Sequence, residues 1–214
     1  MNEIDKPEIA YERVLFFSDA IVAIAITLLA LDLKLELPED HHLSFQDLLL
    51  PWKNYLAFFL SFVNIASFWR THHQMYTYIN RMSQRTLSYN IGWLFFIVTL
   101  PFSTSVLSTH FGDSAAIFLY SLNIMALSIF QNFIWDSSDI TNDFIDGTKL
   151  SAPGRGRFRV LVNFDMANAL LCLLLSFFFP KAAFFLLFFK LPVFFFMTIY
   201  LARQRRKDAR ENRA

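Results

Sequence analysis

The first long apolar stretch of the chain, RVLFFSDAIVAIAITLLALDLK at residues 13–34, contains an aspartate near its start. Its composition suits the interior of a lipid bilayer, yet Ser18 and Asp19 lie about two helical turns inside it. An ionisable side chain within a membrane span costs about 2.5–3.5 kcal/mol on insertion scales. Such a residue usually has a function, so Asp19 indicates an ion pathway, a proton relay or a polar contact between helices.

Polar side chains at a comparable depth flank two other apolar stretches. They are Trp69, His72 and His73 at the end of one stretch, and Asn163, Asp165 and Asn168 at the start of another. Arg13 lies six residues from Asp19, whereas ion pairs on one helix need a spacing of three or four. The partners of Asp19 must therefore come from other helices. The two histidines could equally be ordinary residues of the membrane interface.

The composition indicates that these residues lie in a membrane. Hydrophobic residues make up 55% of the 214 positions, charged residues only 17%, and phenylalanine alone occurs 27 times. A water-soluble core of this size does not need so much apolar surface.

A window of about 20 residues, the length that crosses roughly 30 Å of hydrocarbon, gives six candidate spans. They cover approximately residues 14–33, 51–70, 87–108, 114–135, 160–180 and 182–202. The connections are short and polar, and the longest, at 136–157, is rich in Asp, Ser, Gly and Pro and is predicted to be a loop. We therefore predict an all-α polytopic membrane protein, with one six-helix transmembrane domain over residues 1–214 and no soluble domain.

The distribution of basic residues predicts the orientation. All 19 lysines and arginines except Lys34, Lys53, Lys181 and Lys190 fall in the N-terminal segment, the second and fourth connections and the C-terminal tail. With an even number of spans, the positive-inside rule then places both termini in the cytoplasm. We expect a multi-pass protein of the plasma membrane.

Motifs for catalysis or metal binding are absent from the sequence. It contains no HExxH, no GxSxG and no thiol beside a histidine, so we expect no enzymatic activity. His41 and His42 are adjacent rather than spaced as helical metal ligands, and no metal site or cofactor is predicted. No nucleic-acid partner is expected.

The polar residues of the first two spans form a recognisable pattern. Arg13 is followed after three residues by Phe17-Ser18-Asp19 at the start of the first of six spans, and a tryptophan and a histidine end the second. This pattern resembles the prokaryotic members of the transmembrane protein 175 family of potassium channels, over most of the chain. The resemblance implies a potassium-selective, leak-type cation channel. It also implies a homotetramer in the lipid bilayer, in which the first helix of each subunit lines a central pore for potassium and other monovalent cations.

The resemblance assigns side chains to two groups. The structural network is Arg13, Phe17, Ser18 and Asp19, with Trp69 and His73 as partners. The apolar pore constriction is Ile24, Leu28 and Leu31. At 100° per residue, the constriction residues fall within about 60° of one another and Asp19 lies about 140° from Ile24, so Asp19 would face protein if the stripe faces a pore. Periodicity alone favours a stripe that meets lipid or another helix, and the resemblance favours the pore.

Selectivity would need an unusual source, because the sequence has no TVGYG-like filter. An apolar constriction can discriminate through the cost of dehydration, since potassium sheds water more readily than sodium. Thr27 could offer a hydroxyl beside the constriction, although a helical threonine more often bonds its own backbone carbonyl. Repeated by symmetry, Asp32 would form a ring of carboxylates at the pore mouth, and the alternative is an interfacial helix terminus with Lys34 nearby.

A proton-coupled secondary transporter is the alternative function. Asp19, His73 and Asp165 could form a proton relay inside a helix bundle. Such a transporter should show internal repeats or broken helices around a midplane site, and neither is clear in the sequence.

Overall fold

The fold is a bundle of long helices, and the computed structural model describes residues 11–35, 37, 38, 42–141, 144–188, 192 and 199. Within these residues the long helices are α1 Tyr11–Leu29, α2 Trp52–Tyr78, α3 Gln84–Thr109, α4 Ser114–Asp136 and α5 Ala152–Phe178. Short turns of 3₁₀-helix cover Ala30–Asp32 and Asp47–Leu49, a π-helical turn covers Ser137–Thr141, and residues 180–188 are helical. No strand forms in this part of the chain beyond the single bridge between Ile79 and Ile145. The all-α prediction is confirmed.

Four helical segments are long and apolar enough to cross a membrane. They are Tyr11–Asp32, Gln84–Thr109, Ser114–Ile140 and Ala152–Phe178. Helix α2 is 27 residues long, but it is more polar than these four. The sixth predicted span begins within the helical residues 180–188, and its remainder, including Lys190, lies outside the described residues.

The helices pack in an order that leaves α1 at the side of the bundle. Helix α4 packs along α3 and α5, while α1 packs on α3 and α2. The largest fully buried side chains include Trp93, Tyr120 and Trp135, on α3 and α4. We name the end of the bundle where α1 ends and α2 begins the α1–α2 end, and the opposite end the α2–α3 end.

Polar side chains buried between the helices bond one another. The Tyr120 hydroxyl on α4 accepts hydrogen bonds from Ser61 Oγ and Asn64 Nδ2 on α2, both at 3.1 Å. Thr104 on α3 donates to Ser61 Oγ at 2.7 Å. Because a membrane interior offers no water to replace such bonds, these contacts fix how α2, α3 and α4 sit against one another.

Helix α2 is longer than the predicted span. The span was expected to end near residue 70 with Trp69 and His73, whereas the helix continues to Tyr78. Polar residues such as His72 and His73 mark the end of the apolar segment, but they do not end the helix. Helix α2 continues because its last two turns still bury Met75 and Tyr76 against the rest of the chain.

The prediction of a loop over residues 136–157 is wrong at its end, because α5 begins at Ala152. Arg155 and Arg159 in the first turns of α5 bond the end of α4: Arg155 lies 3.1 Å from Asp139, and Arg159 lies 2.7 Å from Asp136. These ion pairs need Arg155 and Arg159 one helical turn apart, which the helical conformation supplies. The composition of residues 136–157 alone does not predict these ion pairs, so it did not show that a helix begins there.

The rest of the α4–α5 connection folds back onto the α2–α3 connection. Asn80 N–H donates to the Phe144 carbonyl and Asp146 N–H to the Tyr78 carbonyl, both at 2.9 Å. Hydrogen bonds from the hydroxyl and the amide of Thr148 hold the pKa of Asp146 below its usual value. The α2–α3 end is therefore a small ordered layer.

A glycine sets the close approach of α3 and α4. A Cβ atom added at Gly92 on α3 would lie 2.6 Å from Cδ1 of Phe130 on α4, which is too close for carbon atoms. Gly156 on α5 has nothing within 4 Å of the equivalent position. The two glycines therefore offer a matched comparison within helices.

We predict that Gly92→Ala lowers the free energy of unfolding by about 1–3 kcal/mol, because the Phe130 ring must move out of its packed position. Gly156→Ala should instead raise it by about 0.5–1 kcal/mol through the lower backbone entropy of alanine. Thermal unfolding of both variants in the same detergent measures the two effects. A Gly92→Ala variant as stable as Gly156→Ala would contradict the packing shown here.

Candidate functional site

Helix α1 has one buried face and one exposed face. Ser18, Val22, Ala25 and Leu29 are buried against the rest of the chain at a spacing of three or four residues. The exposed face is also apolar: 58% of Ile24, 39% of Leu28 and 65% of Leu31 is accessible. In the most apolar part of the segment Tyr11–Asp32, only 22% of the residues are buried. The corresponding share is 39–56% in the three other segments that could span a membrane. The exposed face of α1 must therefore meet something outside its own chain.

A polar network fixes the buried face of α1. Asn90 on α3 donates through Nδ2 to Ser18 Oγ at 3.0 Å, and the Ser18 hydroxyl donates to the Val14 carbonyl at 2.8 Å. The Oδ1 atom of Asn90 lies 2.7 Å from His72 Nε2 and accepts from the Tyr76 hydroxyl at 3.3 Å. One asparagine thus joins α1, α2 and α3.

Aromatic contacts hold this network in place. The His72 ring stacks on Trp93, with centroids 4.2 Å apart and planes at 15°, and meets the edge of Tyr76 at 4.6 Å. The Tyr11 hydroxyl at the start of α1 donates to the Tyr76 carbonyl. His72 is only 2% exposed, so its ring cannot move without repacking the centre of the bundle.

Asp19 bonds the second helix, as the spacing argument predicts. Its Oδ1 accepts a hydrogen bond from Trp69 Nε1 at 2.8 Å. The Trp69 ring packs on His73, with centroids 5.6 Å apart, so His73 reaches Asp19 only through the tryptophan. Asp19 is half-buried and Trp69 is 38% exposed, so this contact lies at the edge of the chain rather than within it.

Arg13 and Phe17, the other members of the predicted structural network, are exposed. In the part of the chain that the structure describes, Arg13 forms no ion pair. The structure therefore brings together Asp19, Trp69 and His73, and Ser18 bonds Asn90 instead. Arg13 and Phe17 point away from their own chain.

Thr27 and Asp32 lie further along α1. The Thr27 hydroxyl donates to the Ile24 carbonyl at 2.7 Å, which is the backbone bond common for helical threonines. Asp32 is half-buried: its carboxylate lies 3.4 Å from Ser105 Oγ on α3, and its carbonyl accepts from Asn54 Nδ2 at 3.1 Å. Both contacts are within the chain.

Sequence analysis missed the central residue of the network, Asn90. Asn90 is a polar amide within the third predicted span, and this is the signal that could have identified it. The sequence left open whether His72 lies at the membrane interface, and its burial against Trp93 could not be inferred because the two residues lie on different helices. Asp165, the third member of the alternative proton relay, lies on α5, which packs against α4 rather than α1.

Comparison with known proteins finds similarity to one family of channels. The model of the family described as the endosomal/lysosomal potassium channel TMEM175 matches residues 13–101, which include α1, α2 and most of α3. A potassium channel of Streptomyces collinus is 29% identical over 152 residues, which cover 69% of this chain and 73% of that protein. The endosomal/lysosomal proton channel TMEM175 of Gallus gallus is 33% identical over 140 residues, but these cover only 28% of that longer protein.

A solved structure agrees with the fold. The crystal structure of a lysosomal potassium-selective channel TMEM175 homologue from Chamaesiphon minutus has a TM-score of 0.73 and 25% sequence identity. The alignment covers 86% of this chain and 95% of that one. The matched family is one of ion channels and not of enzymes, in agreement with the lack of catalytic motifs. The matched residues, which include the network around Ser18 and Asp19, and the fold are therefore similar to those of TMEM175 channels.

Proposed function

We propose that this chain is the subunit of a potassium-selective, leak-type cation channel. The subunits form a homotetramer in the plasma membrane, with both termini in the cytoplasm. Two relatives support potassium as the permeant ion. The potassium channel of Streptomyces collinus is similar along most of its length, and the potassium-selective channel of Chamaesiphon minutus has a similar fold. The basic residues at the α2–α3 end, among them Arg13, Arg81 and Arg85, support the orientation.

The observation that carries the proposal is the exposed apolar face of α1. A helix that is buried on one side by its own chain and apolar on the other can line the central pore of a symmetric assembly. In this arrangement Ile24, Leu28 and Leu31 of the first helical segment lie closest to the symmetry axis. The small residues Ala20, Ala23 and Ala30 on the exposed part of α1 favour close packing between helices from different subunits. Lipid can cover the same face, and the variants described below separate the two arrangements.

The proposed pore selects ions by partial dehydration. Three successive apolar side chains at about one turn of spacing supply no oxygen ligands, so a cation crossing them loses water without replacement. The Thr27 hydroxyl gives its proton to the Ile24 carbonyl, which leaves its oxygen lone pairs free to face a cation. The Asp32 carboxylate, expected from the sequence to form a ring at the pore mouth, bonds Ser105 on α3, so the proposed pore does not include it.

The network around Ser18 and Asp19 positions α1 in this proposal. Bonds from Asn90 to Ser18 and from Trp69 to Asp19 set the rotation of the helix about its axis, and this rotation decides which side chains face the pore. Because Asp19 and Trp69 are partly exposed at the edge of the chain, the neighbouring subunit is expected to cover them together with Arg13 and Phe17.

Proton transport is the second candidate function. It is favoured by Asp19 and His73, which Trp69 joins on neighbouring helices, and by the name of the relative from Gallus gallus. The relay expected for a proton-coupled secondary transporter also includes Asp165, which lies on α5 against α4. A direct flux measurement distinguishes such a transporter from a potassium channel.

We predict that proteoliposomes containing the full-length protein and loaded with potassium release it down its gradient when a protonophore supplies charge compensation. Sodium-loaded vesicles should release their cation more slowly, and protein-free vesicles should release neither. Potassium release that needs an imposed pH gradient, measured in separate vesicles without the protonophore, would contradict the channel and favour the transporter.

We predict that Ile24→Asn raises the single-channel conductance and lowers the preference for potassium, because the amide supplies hydrogen bonds at the narrowest point. The same substitution at Leu28 or Leu31 should have a smaller effect. Reversal potentials in planar bilayers, under bi-ionic potassium and sodium conditions, measure the preference.

Val98→Asn is the matched control for Ile24→Asn, since Val98 is 50% exposed on the outer face of α3. It should leave the reversal potential unchanged. If Ile24→Asn tetramers also keep the wild-type reversal potential, Ile24 is not the selective constriction.

We predict that Asp19→Ala weakens tetramer formation by about 1–3 kcal/mol per site, because Trp69 Nε1, which the neighbouring subunit is proposed to cover, loses its acceptor. Asp19→Asn keeps an acceptor oxygen at the same place and should assemble nearly as well as the wild type. Light scattering coupled to size-exclusion chromatography measures the tetramer fraction. A stable Asp19→Ala tetramer with altered ion preference would place Asp19 in the pore instead.

A further inference from the structure

A cavity of about 470 Å³ opens at the α1–α2 end of the chain. Three chain segments enclose it: the end of α1, the start of α2 and the end of α3. Its lining residues are Asp32, Lys34, Leu35, Leu50, Pro51, Asn54, Ser105, Ser108 and Thr109. The exposed stripe Ile24, Leu28 and Leu31 is not among them, so the cavity is separate from the proposed pore constriction.

Two opposite charges line this cavity without neutralising each other. Among the residues that the structure describes, the Asp32 carboxylate and the Lys34 ammonium form no salt bridge, and neither pairs with another charged group. An anionic and a cationic group held apart in one cavity complement a ligand with both charges. A simple metal cation fits less well, because Lys34 would repel it and because the cavity has room for about fifteen waters at 30 Å³ each.

The remaining polar groups favour a ligand with N–H donors. The hydroxyls of Ser108 and Thr109 give their protons to the Ser105 carbonyl, at 2.9 and 2.8 Å, so their oxygens can only accept. The Asn54 amide nitrogen donates to the Asp32 carbonyl, which leaves Oδ1 as an acceptor. Together with the Asp32 carboxylate these oxygens suit a primary ammonium, whereas a quaternary ammonium has no proton to give them.

The position of the cavity points to a membrane lipid. Its apolar lining, Leu35, Leu50 and Pro51, continues into the exposed side chains of Leu49 and Trp52 beside it. Trp52 begins α2, where tryptophan is typical of the membrane interface. A ligand with its charged group in the cavity would therefore place an acyl chain on this apolar surface.

We propose that this cavity binds the zwitterionic headgroup of a membrane lipid that carries a primary ammonium and a phosphate diester, the chemistry of phosphatidylethanolamine. The three N–H groups of the ammonium donate to the Asp32 carboxylate and to two of the acceptor oxygens of Asn54, Ser108 and Thr109, and Lys34 binds the phosphate. The headgroup joins the ends of α1, α2 and α3 at one side of the membrane. This assignment does not depend on which ion the protein conducts.

Native mass spectrometry of the full-length protein in a mild detergent tests the assignment. Phosphatidylethanolamine, phosphatidylcholine and phosphatidylglycerol are added separately at equal concentration. We expect phosphatidylethanolamine to bind about tenfold more tightly than phosphatidylcholine, and this difference to disappear in Asp32→Asn. Asp113→Asn, at an exposed aspartate of the same end, is the matched control and should bind like the wild type.

A second variant keeps the test decisive if Asp32→Asn does not fold. Lys34 is exposed, so Lys34→Gln should fold normally and should weaken binding of phosphatidylethanolamine and phosphatidylglycerol alike. Equal binding of phosphatidylethanolamine and phosphatidylcholine to the wild type would overturn the proposal, as would unchanged phosphatidylethanolamine binding in Lys34→Gln. Glycine binding as tightly as the lipid would show a site for free zwitterions and would overturn the lipid assignment.

Discussion

Inside a bilayer, a polar group that finds no partner within the protein stays unpaired, and this constraint organises the structure. Asn90 shows it best, because its single amide bonds Ser18 on α1 and meets His72 and Tyr76 on α2. A second set around Tyr120 does the same for α2, α3 and α4. Apolar side chains pack almost as well against lipid as against one another, so these polar contacts rather than hydrophobic burial select one arrangement of the helices.

The same constraint explains why α1 can lie at the side of the bundle and still hold a fixed rotation. One face is fixed by Ser18 and by the contact of Asp19 with Trp69, which leaves the apolar face free for contacts with other subunits. A helix held only by apolar contacts could rotate at little cost. In the proposed channel the rotation of α1 sets the width and chemistry of the pore, so polar residues that never meet an ion would still determine selectivity.

The α1–α2 end and the α2–α3 end satisfy their polar groups differently. At the α2–α3 end, the ion pairs of Arg155 and Arg159 and the contact between the two connections close the surface. At the α1–α2 end, Asp32 and Lys34 form no ion pair with any residue that the structure describes, and both line an open cavity. The α1–α2 end therefore has room for a charged ligand. The asymmetry is consistent with one rigid end and one that responds to its lipid surroundings.

The sequence by itself determined the membrane class, the approximate place of the five long helices, and the need of Asp19 for a partner on another helix, because hydrophobic length and residue spacing act locally. It also carried the family motif around Phe17, Ser18 and Asp19. Only the tertiary structure decided that Trp69 is that partner, that Asn90 and His72 form the central network, and that α5 begins at Ala152. Those features depend on how helices distant in sequence meet, and short-range patterns of polarity do not contain that information.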